Sequence, residues 1–114
     1  MRVFYHVTPS ERIASVLRIG LMPDRSKVYT PEFYDEEETR GRVFLWKTFE
    51  DAFAMTTWRI GPDLGDDWPA FLRISLPPSY RVHKGQWGDY YVRRGIPPEY
   101  IEVVTQEDFD SMWE

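Results

Sequence analysis

Phe4-Tyr5-His6-Val7-Thr8-Pro9-Ser10-Glu11 is the stretch whose reading decides the fold. Val3, Tyr5 and Val7 alternate with Phe4 and His6, the period of a β-strand. His6 is therefore expected on one sheet face, near the C-terminal end of that strand. Thr8 with Glu11 three residues on has the pattern of a capping box, and Pro9 suits the first helical position. Ile13, Val16 and Leu17 form an apolar helical stripe, Gly20 supplies the stop, and Leu21 is placed for the hydrophobic contact after it. Two readings of His6 stay open on these residues. It is either a core histidine with a local hydrogen bond, or a functional group at an element end, where binding residues concentrate.

The same logic of strand then capped helix recurs downstream. Arg42-Val43-Phe44-Leu45-Trp46 predicts a second strand with Phe44 and Trp46 on one face, and Thr48 with Asp51 predicts another capping box. Phe49, Ala52, Phe53, Thr56 and Ile60 follow helical spacing up to Gly61-Pro62. Ala70, Leu72, Ile74 and Leu76 alternate with Phe71, Arg73 and Ser75, predicting a half-buried strand stopped by Pro77-Pro78. Residues 80–84 and 89–93 predict two more strands about a turn at residues 85–88. His83, beside Arg81 and Lys84, is expected at the surface. Residues 96–100 form a rigid connector into a last strand at 101–104. Thr105 with Asp108 predicts a third capping box, ahead of a short helix with Phe109, Met112 and Trp113 on its apolar side. Between the first two units, residues 24–42 hold a long connection with an acidic run at 35–38, expected as a solvated surface or binding loop.

Composition sets the outer limits. A chain of 114 residues with 42% apolar and 17% aromatic residues is expected to form one globular domain, 1–114. Cysteine is absent, which excludes a disulfide frame, a thiolate metal site and a cysteine nucleophile. The acidic loop at residues 63–67 lacks calcium-loop spacing, so no metal is expected. No apolar run matches a membrane span and no signal segment opens the chain, so a cytoplasmic location is expected. A net charge of -5 argues against a general grip on nucleic-acid backbone, but leaves room for a local basic patch.

Glycine-rich phosphate loops, His-Glu-x-x-His and a serine nucleophile elbow are all missing from the sequence. Glycosidic cleavage is the chemistry left open. Its sugar-cation transition state needs a carboxylate and hydrogen bonds to ring hydroxyls. Breaking the nicotinamide–ribose bond of NAD is chemistry of the same kind with a ready leaving group.

Tyr5-His6-Val7-Thr8, followed by Ile13 and Gly20-Leu21, resembles the first motif of the ADP-ribosyltransferase superfamily. That superfamily includes rifampin ADP-ribosyltransferases, DNA-modifying toxins and RNA 2′-phosphotransferases. Val43-Phe44-Leu45-Trp46-Lys47-Thr48 with Asp51, Ala52 and Ala54 resembles its second motif, an apolar strand leading to a helix. Residues 70–76 resemble the strand after that helix, and residues 89–92 with 96–101 resemble the C-terminal strand and connector.

The resemblance implies an α+β fold of split, mostly antiparallel sheets with two or three short helices, clasping NAD between the halves. It implies that His6 bonds a ribose of NAD and that Val7, Thr8 and Thr48 help hold the cofactor. Trp46 stands where members often carry a tyrosine that packs on nicotinamide. Asp89 stands at the place of the family's acid, a glutamate in many members and an aspartate in the rifampin type; Glu99 is the reserve candidate. The Arg-His-Arg-Arg set of the phosphotransferases is not visible. Three functional expectations follow. The first is a small NAD-dependent ADP-ribosyltransferase whose acceptor is a protein, a nucleic acid or a small molecule. The second is a noncatalytic interaction domain of the same fold. The third is a structural domain in which His6 is a satisfied core residue.

Overall fold

The computed structural model describes residues 1–23, 41–55, 69–85, 88–105, 107, 108 and 111. The first strand, β1 (Arg2–Pro9), pairs along its whole length with β3 (Pro69–Leu76), antiparallel, from Arg2 opposite Leu76 to Pro9 opposite Pro69. β6 (Ile101–Val103) lines the other edge of β3, giving a sheet of order β1-β3-β6. A second sheet of order β2-β5-β4 is built from β2 (Val43–Leu45), β4 (His83–Lys84) and β5 (Tyr90–Val92), again antiparallel. The α-helices α1 (Ile13–Ile19) and α2 (Phe49–Met55) follow β1 and β2, each a single short element. The expected α+β class with two antiparallel sheets and few helices is what the structure shows. Among the described residues, no helix is long and apolar enough to cross a membrane.

Strand alternation sorts the apolar side chains into two clusters. Phe4, Val43, Leu45, Leu72, Ile74 and Val92 belong to the larger one, closed by Val16 of α1 and by Leu21 and Ile96. Val7, Phe44, Trp46 and Phe71 form the second, roofed by Phe49 and Ala52 of α2. Phe44 and Trp46 do share one face, as the period of β2 requires. Phe71, on the face opposite Leu72 and Ile74, is buried as well, because the ring of Phe49 packs on it at 4.9 Å and that of Phe53 at 6.1 Å between centroids.

The local signals hold with three corrections. Thr8 does not cap a helix. β1 stays extended through Pro9, a 3-10 turn occupies Ser10–Arg12, and α1 starts after Arg12 with no side-chain cap. The ladder to Ala70 and Pro69 holds Thr8 and Pro9 in the sheet, so tertiary pairing overrides the capping pattern. The strand expected at residues 80–84 shortens to His83–Lys84, since Tyr80 closes a turn by donating its N–H to Pro77. The connector after Ile96 contains a 3-10 turn at Pro98–Tyr100. The other two caps form as read. Thr48 Oγ1 accepts the N–H of Asp51 at 3.1 Å, and Thr105 and Asp108 exchange reciprocal bonds at 3.1 Å. The N–H of Thr105 and then its hydroxyl hold the Asp108 carboxyl below its usual pKa. The connection and acidic run at residues 24–40, the helix continuation at 56–62, the acidic loop at 63–67, the turn residues 86–87 and Phe109, Met112 and Trp113 lie outside the described residues.

Two contacts close the first unit onto the far end of the chain. Gly20, at φ 85°, ends α1 by donating its N–H to Val16, and Leu21 then exchanges two backbone bonds of 2.9 Å with Ile96. Gly20 has no room for a side chain, because a Cβ there would collide with the Ile96 carbonyl oxygen. Gly20→Ala is expected to destabilise the fold by roughly 2–4 kcal/mol, combining left-handed strain with that collision. Urea denaturation of the variant measures this; a loss under ~0.5 kcal/mol would contradict the placement.

Candidate functional site

The two sheets meet along β1 and β2, and they meet at one point. Tyr5 and Trp46 exchange both backbone bonds, N–H to O at 2.7 and 2.8 Å. Alternate residues of a strand turn their backbone groups to the same edge, so the Phe44 carbonyl also faces β1. The imidazole of His6 takes it, with Nδ1 2.7 Å from the Phe44 oxygen. A carbonyl can only accept, so Nδ1 carries the proton and Nε2 is left with its lone pair. The histidine is thus wedged into the fork where the sheets part.

His6 is 6% exposed. Burial lowers its pKa from 6.5 to about 4, against the opposing pull of the Phe44 carbonyl. The imidazole is therefore neutral at pH 7. Thr8, two residues along the same face, is 3% exposed and pairs with Ala70 across the sheet. Its hydroxyl, released from the expected capping role, lies on the His6 side of β1. Val7 points the other way, into the second cluster.

The remaining candidates are placed as follows. Trp46 is adjacent to the fork in backbone, but its ring is 3% exposed and belongs to the second cluster. Tyr5 and Trp46 are bridge partners and share a face, so the His6 side chain, one residue on, leaves on the opposite face. Thr48 is exposed and serves as the cap of α2. Asp89 immediately precedes β5 and is fully buried. Its carbonyl accepts the Gly85 N–H at 2.8 Å, and its carboxylate lies over the Gly85 α-carbon, where a side chain on Gly85 would collide with it. Glu99 is exposed on the 3-10 turn at Pro98–Tyr100, a surface position.

Registers bring the three backbones together. Leu45 is opposite Tyr90, and Trp46 is opposite Tyr5, so positions 6, 46 and 89 fall on the adjacent strands β1 and β2 and at the start of β5. Their side chains do not share one face. Among the described residues, no group of three or more metal-ligating side chains is present.

Two partners had no signal in the sequence. The Phe44 carbonyl is backbone, and its availability depends on where the sheets separate. Gly85 reads only as a turn residue, yet its missing side chain makes the space for Asp89. A third feature is a row across the first sheet, on the face that Tyr5 shares with Val7. Tyr5, Arg73 and Glu102 are successive cross-strand partners, with Arg73 Nη1 3.3 Å from Glu102. The Tyr5 hydroxyl, ahead of the neighbouring carboxylates, raises the Arg73 pKa.

The buried neutral imidazole makes stability depend on pH with a definite sign. The unfolded chain protonates His6 near 6.5 while the folded chain resists until about 4, so stability falls as the pH drops through that window. The contribution is roughly 3 kcal/mol between the two limits. His6→Gln keeps a donor for Phe44 without titrating. Denaturation at several pH values between 7 and 4.5 is expected to show a steeper loss in the native chain than in His6→Gln. Equal slopes would contradict the buried neutral state.

A comparison of the sequence with models of known protein families and with curated proteins finds no match.

Proposed function

We propose that the chain is a small NAD-binding domain of the ADP-ribosyltransferase type, cleaving the nicotinamide–ribose bond and passing ADP-ribose to an acceptor. One observation carries this reading. The fork between the two antiparallel sheets holds a neutral histidine whose Nδ1 is committed to Phe44 and whose Nε2 is an acceptor, with Thr8 on the same face.

That donor and acceptor set suits the hydroxyls of a ribose. A sugar hydroxyl can donate to Nε2, and the Thr8 hydroxyl can donate or accept beside it. A charged imidazolium would offer no acceptor, which is why the lowered pKa matters to the role. In this reading the acid that steadies positive charge on the sugar is Asp89, at the start of β5. NAD itself supplies the leaving group. Trp46 does not fit the role of an open stacking platform, since its ring lies within the second cluster.

The second reading, a noncatalytic interaction domain of the same fold, is favoured by the complete burial of the Asp89 carboxylate over Gly85. Calorimetry with NAD separates the two. The enzyme reading predicts measurable heat, a stabilisation approaching ~3 kcal/mol when NAD reaches about 100 times its Kd, and loss of both in His6→Ala. It also predicts nicotinamide release that falls roughly a hundredfold in Asp89→Asn with NAD binding retained. Neither heat nor thermal shift with NAD would leave the interaction domain.

A further inference from the structure

The joint between α1 and the last third of the chain carries a thioether beside it. Leu21 and Ile96 exchange two backbone bonds of 2.9 Å as an antiparallel bridge, which places Met22 opposite Gly95. The Met22 side chain uses the room that Gly95 leaves. Its Sδ lies 3.3 Å, and its methyl carbon 3.9 Å, from the point that a Cβ on Gly95 would occupy. The Leu21 carbonyl oxygen borders the same point at 3.4 Å. Gly95 is tied to the core as well, its carbonyl accepting the Tyr80 hydroxyl at 2.8 Å.

Met22 is at the same time 45% exposed. Solvent therefore reaches a side chain whose other side seals the joint. Met1, 73% exposed at the end of the chain ahead of β1, is accessible without that second role. A thioether is soft and open to oxidation. Its sulfoxide turns a flexible apolar end into a polar, chiral one with an acceptor oxygen. Over Gly95 that oxygen meets an apolar α-carbon, and the Leu21 carbonyl beside it can only accept. The oxidised side chain is therefore driven out to water, and the Gly95 side of the bridge loses its cover.

We propose that Met22 is an oxidation site, and that its sulfoxide loosens the joint between α1 and the segment after β5. Hydrogen peroxide is the oxidant. Its O–O bond breaks, an S–O bond forms at Met22, the sulfur gives up two electrons and water is released. Methionine sulfoxide reductases reverse the step, so the joint can be reset. The consequence is local, and the Leu21 and Ile96 amides lose protection before the sheets do. None of the fork residues is involved, so the oxidation site stands apart from the NAD reading.

The test is mild peroxide treatment of the full chain, with peptide mass spectrometry to read which methionines gain an oxygen. The chain oxidised at Met22 is expected to melt about 3–6 °C lower, with faster hydrogen exchange at the Leu21 and Ile96 amides. Treatment with a sulfoxide reductase is expected to restore both. Met22→Leu keeps the volume but has no sulfur there, while Met1, Met55 and Met112 remain. The drop and the faster exchange are expected to be absent from it. Gly95→Ala, whose Cβ displaces the sulfur, is a second variant expected to lose the response. A Met22 sulfoxide without those shifts, an equal response in either variant, or a Met22 left reduced while Met1 is oxidised would overturn the proposal.

Discussion

The structure depends on how β1 and β2 part. Were their ladder to continue, the two described sheets would run together as one. The ladder stops after the Tyr5–Trp46 exchange, and His6 bonds the Phe44 carbonyl at the point where the sheets part. A buried carbonyl left without a donor costs roughly 1–3 kcal/mol, a cost that this bond offsets. The same bond fixes the tautomer and burial sets the charge state. One interaction thus links topology, stability and the chemistry available at the fork.

Two packing arrangements keep the fork in place. On one side, Leu21 and Ile96 tie the end of the first unit to the last third of the chain, and Tyr80 fastens the strand ends. Its carbonyl accepts from Arg2 at 2.7 Å, its hydroxyl donates to Gly95 at 2.8 Å, and Arg94 lies 3.8 Å above its ring. On the other side, α2 clamps β1, β2 and β3 through Phe49, which meets Tyr5 at 5.9 Å and Phe71 at 4.9 Å. The sheets are held together by side chains from both faces, and among the described residues their strands exchange backbone bonds at the fork alone.

Much of this was legible in the sequence wherever one local rule acted alone. The alternation of residues 70–76, the Thr48 and Thr105 caps and the Gly20 stop each follow from side-chain period or backbone geometry. Thr8 was misread because two rules competed, and an eight-residue ladder to β3 outweighed a local cap. The site was only half legible. His6 stood out by residue type and position, but its partner is a backbone oxygen with no signature. The burial of Asp89 depends on a glycine four residues earlier. Trp46 and His6 looked like companions by motif order, yet the Tyr5 bridge assigns them to opposite faces. The stacking of His83 on Tyr91 needed the register between β4 and β5, which no single stretch discloses.

The most direct measurement of the central claim is the ¹⁵N NMR titration of the His6 imidazole, assigned by comparison with His6→Gln. The structure requires a protonated Nδ1 and a bare Nε2 at pH 7, with no protonation until the pH approaches 4. An imidazole that titrates near 6.5, or that carries its neutral proton on Nε2, would contradict the capped fork and with it the account of the site.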